Sequence, residues 1–264
     1  MYYFHYQNVR SVYVYGLDCV NFLQGQLSND LRRLNFSREL QLNSLCNQKG
    51  RVIGLFFTYY ISENSLILSL PKNHVNFILL ALKKYAIFSK ITFKITDKYH
   101  LIYLNTERVF SKFSSLNHHK IVNQVLLENI KSNYDNFSYL QVQQQNIYQQ
   151  FPWIDAENTG KFLPLELNLD QFQVVSYNKG CFMGQEIITR MKYRGKSKKR
   201  LLSVALDFDL PKMDYLYNNE QNIIAKVINQ VVLDKKTYFL AIFNHVMNDI
   251  NIILAGNLKV SIIH

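Results

Sequence analysis

The stretch Lys179-Gly180-Cys181-Phe182-Met183-Gly184-Gln185-Glu186, with Arg190 four residues beyond Glu186, gathers an amine, a thiol, a carboxylate and a guanidinium close together in the chain. A thiolate is both a nucleophile and a metal ligand, and a nearby ammonium or helix N-terminus favours it over the thiol. Gly180 and Gly184 permit backbone conformations or close approaches that bulkier residues resist. Ile187, Ile188 and Met191 recur at helical spacing, which predicts a short helix over Gln185 to Lys192 with those three facing inward, Cys181 near its N-terminus and Lys179 close by. Glu186 and Arg190, at i and i+4, are placed for an ion pair that orders this helix. Gln185 and Glu186 are expected to support the loop geometry and not to move protons. The spacing leaves two readings of Cys181 open, an activated thiol or a small buried core residue.

A basic run follows: Lys192, Arg194, Lys196, Lys198, Lys199 and Arg200 fall within nine positions, and the whole chain carries a formal charge of +11. Such a balance points to nucleic acid, an anionic membrane or an acidic ligand, although the richness in Asn, Ile, Lys and Tyr could equally reflect biased codon composition, in which case part of the charge is incidental. Lys198 and Lys199 read as a solvated face, whereas the Arg194 guanidinium could grip a carboxylate or phosphate in two-pronged fashion. Cys19, Cys46 and Cys181 are odd in number and widely spaced, with no CxxC pair or Cys/His cluster. A metal site of the chain's own is therefore not expected, and a reduced, cytoplasmic setting is. No apolar run is long enough to cross a bilayer, and the N-terminus lacks a signal peptide's basic start, so no membrane role is expected.

These residues need a scaffold. Arg10 to Tyr15 alternates like a strand, and Asp18 stands as the cap of a helix over Val20 to Leu27. Leu40 to Cys46 and Val52 to Ile61 read as strands joined by the Asn47-Gln48-Lys49-Gly50 turn, and Leu66 to Leu70 as another. From Lys72 the pattern is helical, with Val75, Ile78, Leu79 and Leu82 on one face. Ile91 to Ile95 and Leu101 to Leu104 return to strand. Between 105 and 150, Phe113, Leu116, Ile121 and Val125 point to a helix, while Tyr139 to Tyr148 fits strand or helix equally. After residue 197 the β-branched segments Leu201–Phe208, Asn222–Leu233, Thr237–Val246 and Asn251–Ile263 predict a small antiparallel barrel or sandwich. The basic run then falls at a domain seam, a common place for a ligand cleft.

The Lys179–Glu186 stretch, followed by Arg190, Tyr193, Arg194 and Gly195, resembles the signature of the YgfZ family, folate-binding relatives of the glycine-cleavage T-protein (aminomethyltransferase). Leu23-Gln24-Gly25-Gln26-Leu27-Ser28-Asn29-Asp30 resembles the family's N-terminal element, and Lys49-Gly50-Arg51 its next turn. Lys83–Lys90, Phe151-Pro152-Trp153-Ile154-Asp155 and Gly160-Lys161-Phe162-Leu163-Pro164 match as well. Several ordered motifs at compatible separations are far more specific than one short match. The resemblance implies an α+β fold, with two interlocked T-protein-like subdomains over residues 1–196 and a C-terminal antiparallel β-barrel over 197–264.

The resemblance also implies a reduced folate, tetrahydrofolate or a derivative, as the cofactor. Glu157, or Asp155 as its rival, would accept N–H bonds from the pterin, although both also read as turn residues before Gly160. Lys179, Gly180, Gln185, Glu186, Arg190 and Arg194 would line the site, and Cys181 would ligate iron or sulfur transiently or attack a folate-bound one-carbon unit. A single cysteine cannot hold a stable cluster, so iron–sulfur proteins or their assembly factors are implied partners, with an indirect link to tRNA modification. T-proteins carry paired aspartates after the turn, where this chain has Gly54 and Leu55, so aminomethyl transfer is not expected. Pro164-Leu165-Glu166 is, by contrast, closer to the T-protein form. The alternatives are an RNA-binding module using residues 192–200, or a divergent one-carbon transferase relying on Glu157 or Glu166.

Overall fold

The structure, a computed structural model, describes residues 2–34, 40–105, 119–195, 197, 199–218, 220–244 and 261–263. The first half runs β1 (Tyr2–His5), β2 (Val9–Tyr15), α1 (Cys19–Gln26), β3 (Leu40–Cys46), β4 (Val52–Ser62), β5 (Ser65–Pro71), α2 (Val75–Lys83), β6 (Thr92–Thr96) and β7 (Tyr99–Asn105). It continues with β8 (His119–Asn123), α3 (Gln124–Asn133), β9 (Asp135–Asn136), α4 (Tyr139–Tyr148) and α5 (Gln185–Arg194). The last strands are β10 (Arg200–Leu206), β11 (Tyr215–Tyr217), β12 (Ile223–Leu233), β13 (Lys236–Phe243) and β14 (Ser261–Ile263).

Three sheets result, in the orders β8-β7-β1-β9, β3-β4-β5-β2-β6 and β11-β12-β13-β10-β14. The chain starts in one sheet, crosses to the second for β2 to β6 and returns for β7, which pairs antiparallel with β1. The second sheet is antiparallel, with β2 set between β5 and β6 (Val12 opposite Leu68 and Ile95). On it pack α1, through Cys19 and Leu23, and α2, through Val75, Ile78, Leu79 and Leu82, the four positions whose spacing marks one helical face. Each such buried side chain contributes on the order of 2 kcal/mol. A single core joins all three sheets, with Phe4, Phe57, Leu101, Phe151, Leu201 and Leu240 among its members.

Several expectations change. The third sheet is open among the described residues, with β11 and β14 at its edges, so no closed barrel is found; residues 245–260, where strand ends were expected, lie outside the description. β11 escaped notice because Tyr215–Tyr217 is only three residues long. Asp18 precedes α1 but does not cap it; its carboxylate accepts instead from the Lys90 backbone N–H at 2.7 Å. The helix sought around Ile121 and Val125 is a strand followed by a helix: Ile121 lies in β8 and Val125 in α3, whose cap is the Asn123 side chain. Phe113 and Leu116 lie outside the described residues. Tyr139–Tyr148 is helical, started by a capping box between Ser138 and Gln141.

Candidate functional site

Cys181 is the one exposed cysteine of the three, since Cys19 and Cys46 are buried. Burial pushes both of those thiols up to about 12, against weaker hydrogen bonding that acts the other way. The loop holding Cys181 is fixed from two sides. On one, Gly184 stands just before α5 at φ +78°, and a Cβ there would lie 2.4 Å from the Asn47 carbonyl oxygen and 2.8 Å from Gly50 Cα. Gly50 itself sits at φ +69°, so two glycines interlock where the Asn47–Gly50 turn meets the Cys181 loop. On the other, Met183 N–H donates to the Gly25 carbonyl at 3.2 Å.

Lys179 completes the anchor. Its Nζ donates to the carbonyls of Gln24, Leu27 and Asn29 at 2.6, 2.7 and 2.8 Å, and it lies over the Phe182 ring. All three ammonium hydrogens are thereby used on backbone, and the residue is only 8% exposed. Lys179 therefore offers no free donor to a ligand; it ties the Cys181 loop to the end of α1. The neighbouring Gln24, Ser28, Asn29 and Asp30 form a buried network of their own. Gln24 Nε2 donates to Asp30, Ser28 Oγ to the Val174 carbonyl, and Asn29 Nδ2 to the carbonyls of Leu42 and Gln173. Buried polar groups of this kind are costly unless paired, so these residue types at this spacing are explained by positioning.

Cys181 lines a groove of 470 Å³ with Gly25, Gln48, Phe182, Met183, Gln185 and Glu186. Gln48 and Met183 also line an adjoining groove of 410 Å³ that reaches Lys49, Ala81, Lys84 and Tyr85. Three motifs far apart in sequence thus meet around one exposed thiol, and the Lys84–Tyr85 segment joins them through the adjoining groove. The other expected site residues are distributed differently. Gly180 has open space around its Cα and no positive φ, so neither a strained turn nor a close approach requires it. Only Ile188 of the expected inward face of α5 is fully buried. Glu186 and Arg190 are exposed and form no ion pair with each other or with another described residue, and Arg190 and Arg194 line neither groove.

Asp155 and Glu157 lie elsewhere. Asp155 Oδ1 accepts from the backbone and side-chain nitrogens of Asn158, both at 3.0 Å, an Asx turn that accounts for it. Glu157 is exposed and faces a cavity of 320 Å³ shared with Asp155, Asn158, Lys212, Asp214 and Gln230, between this turn and the third sheet. Asn158, which also lines this cavity, is 3% exposed, and its Oδ1 is a buried acceptor with no hydrogen-bond partner among the described residues. This cavity shares no lining residue with the Cys181 grooves. Sequence reasoning missed Asn158 and Lys212, which carry no motif of their own.

The basic run is partly spent. Lys192 pairs with Asp170 at 3.4 Å and lies over the Tyr177 ring, and Lys199, expected to be merely solvated, pairs with Glu166 at 3.8 Å. Lys196 and Lys198 lie outside the described residues. At position 54 a Cβ would approach Ile78 Cδ1 to 2.8 Å, so a larger residue there needs that side chain to shift, and Leu55 is fully buried in the core. No group of His, Cys, Asp or Glu among the described residues is arranged to hold a metal ion, and no helix among them is long and apolar enough to cross a membrane.

No family model matches the chain. It is 31% identical over 195 residues to an uncharacterized protein of Haemophilus influenzae, a match covering 71% of this chain and 68% of that one. To the tRNA-modifying protein YgfZ of Buchnera aphidicola it is 28% identical over 258 residues, covering 85% and 76% of the two chains. To the tRNA-modifying protein YgfZ of Hamiltonella defensa it is 27% identical over 220 residues, covering 71% of this chain and 65% of that relative's length. Its fold is similar to that of the glycine cleavage system aminomethyltransferase T from Bartonella henselae, with a TM-score of 0.72, 12% sequence identity and coverage of 99% of this chain and 84% of the other. At that identity the likeness is one of fold.

Proposed function

The chain belongs to the YgfZ family, and from that premise we propose that it is a folate-binding accessory protein that supports iron–sulfur enzymes, among them enzymes that modify tRNA, through its exposed Cys181. The observation that carries this reading is the convergence of the segments around Gly25, Gln48 and Met183 on the groove that presents Cys181, with the Tyr85 segment lining the groove next to it. A scaffold that buries an ammonium and interlocks two glycines to hold out one thiol fits a thiol with a task.

A reduced folate fits the second cavity by the chemistry of its donors and acceptors. A pterin offers ring and amino N–H groups, which the Glu157 carboxylate and the Asn158 Oδ1 would accept, and Lys212 would meet the anionic tail. The volume lies within the range of about 300–1,000 Å³ usual for small-molecule sites. When bound, the folate would supply a one-carbon unit. The chain's own residues bind and orient it there, while Cys181 acts as an open thiol ligand whose remaining partners come from the client protein, because one cysteine cannot hold a cluster. Gly54 and Leu55, which carry no carboxylate, speak against aminomethyl transfer.

Anaerobic calorimetric titration with tetrahydrofolate tests the folate arm. Saturable binding that weakens about tenfold in Glu157→Gln is expected, as for loss of one charge-assisted contact. No heat at high folate would mean that only the fold is kept. For the thiol arm, Cys181→Ala should fold and bind folate normally yet fail to sustain iron–sulfur enzyme activity in cells; full complementation would remove Cys181 from the mechanism.

A further inference from the structure

α2 buries one face and leaves the other apolar and bare. Phe77 and Leu80, three residues apart on the outer face, are exposed, and the run continues past the helix through Tyr85, Ile87 and Phe88. Leu80 is 70%, Ile87 75% and Phe88 99% exposed. Contiguous exposed apolar surface on a soluble domain marks an interaction site more often than chance exposure.

This segment is braced, not loose. Tyr85, Ala86 and Ser89 N–H groups donate to the carbonyls of Leu82, Lys83 and Ala86, turn after turn. The far end is clamped by Asp18, whose carboxylate takes the Lys90 N–H and whose own N–H donates to the Lys90 carbonyl. Gly16, at φ +137°, passes so close that a Cβ would collide with that same carbonyl. Phe88 is therefore held out in a defined turn, which lowers the ordering cost of any complex it enters.

Charge decides the occupant. Lys83, Lys84 and Lys90 border the apolar run, are exposed, and form no ion pair with a described residue. Lys84 and Tyr85 also form one wall of the groove that continues, through Gln48 and Met183, to Cys181. We propose that residues 77–90 dock a protein partner whose contact surface is apolar with an acidic rim, seated so that its edge reaches Cys181. Leu80 and Ile87, the most exposed residues of the run after Phe88, are aliphatic and offer no π face to a nucleic-acid base, which favours an apolar protein surface over RNA there. A second copy of this chain would bring like charges together. The proposal rests on the reading of Cys181 above and names the kind of client that site serves.

The test places p-benzoylphenylalanine at position 88 of the full chain in cells, with position 125, an exposed site on α3, as control. A protein adduct is expected at 88 and not at 125. That partner, purified, should bind the wild type with salt-sensitive affinity, and Ile87→Ser/Phe88→Ser should weaken binding by about tenfold or more. Adducts only with RNA, lipid or another copy of the chain, no adduct, or undiminished binding by the double variant would each overturn the proposal. Complementation separates the two ideas. If Cys181→Ala fails to support iron–sulfur enzymes while the double variant succeeds, the docking surface is wrong. If Cys181→Ala succeeds while the double variant fails, the role of Cys181 is wrong and docking stands.

Discussion

The Lys179 ammonium reaches three carbonyls in a nearly closed environment, and burial pushes it down from its ordinary 10.5 to about 8, with Asp30 opposing the shift. Between those two values the unfolded chain keeps a proton that the native chain has released. The unfolded state then binds more protons, so this group makes native stability rise with pH across that window. The buried Cys19 and Cys46 thiols, pushed up to about 12, lower native stability over the same range, so the test reads a difference. In urea titrations from pH 8 to about 9.5 the wild type should gain stability relative to Lys179→Met as pH rises, and a constant difference would mean the amine is not perturbed. Tyr148 and Tyr177, pushed up to about 12 chiefly by burial, act in the opposite sense at higher pH, which sets the upper limit of the comparison. At pH 7 the same variant should lose about 2 kcal/mol or more, because three carbonyls lose a charged donor. The cysteines give a simpler test. With Cys19 and Cys46 buried and poorly ionised, an aromatic disulfide reagent should titrate one thiol in the native protein and three after unfolding. Two fast thiols would show that the core around α1 or β3 opens readily.

At the scale of elements, the join between the Asn47–Gly50 turn and α5 is made by backbone contact, so it tolerates no side chain. Gly184→Ala must place a Cβ against the Asn47 carbonyl while holding φ at +78°, and should cost about 2–4 kcal/mol. Gly180→Ala, with open space around it, should stay within about 0.5 kcal/mol of the wild type. Thermal melts of the two variants decide; equal midpoints would mean that the interlock contributes nothing. Both glycines belong to one motif, and the sequence could not tell them apart, because what separates them is a turn over a hundred residues upstream. Elements with strong periodicity were legible: Leu40–Cys46 emerges with the same bounds, and α2 buries the four residues its spacing selects. Tyr139–Tyr148 was not, because Gln-rich composition carries little periodic signal and the Ser138–Gln141 capping box settles the matter locally. The expected Glu186–Arg190 pair fails for a different reason: both side chains are exposed, where such a pair is worth only a few tenths of a kcal/mol and is easily given up to solvent.

Across the whole molecule, the residues that sequence reasoning gathered into one cleft divide between two places. Chain order near Cys181 was a good guide because the motifs there make direct backbone contacts, Met183 with Gly25 and Gly184 with Asn47 and Gly50. It was a poor guide for Asp155 and Glu157, whose cavity is closed from the far side by Lys212, Asp214 and Gln230 of the C-terminal segment, residues with no recognisable pattern. This separation has an energetic consequence. Sites that share no lining residue and no hydrogen-bond partner are expected to act additively, within about 0.5 kcal/mol. Cys181→Ala should therefore leave tetrahydrofolate affinity within about twofold, and Glu157→Gln should leave the labelling rate of Cys181 unchanged. Combined, the two substitutions should show no coupling in either readout. A coupling energy above about 1 kcal/mol in the double-mutant cycle would mean that ligand binding remodels the molecule to bring thiol and folate together, and that the two concavities are halves of one working site.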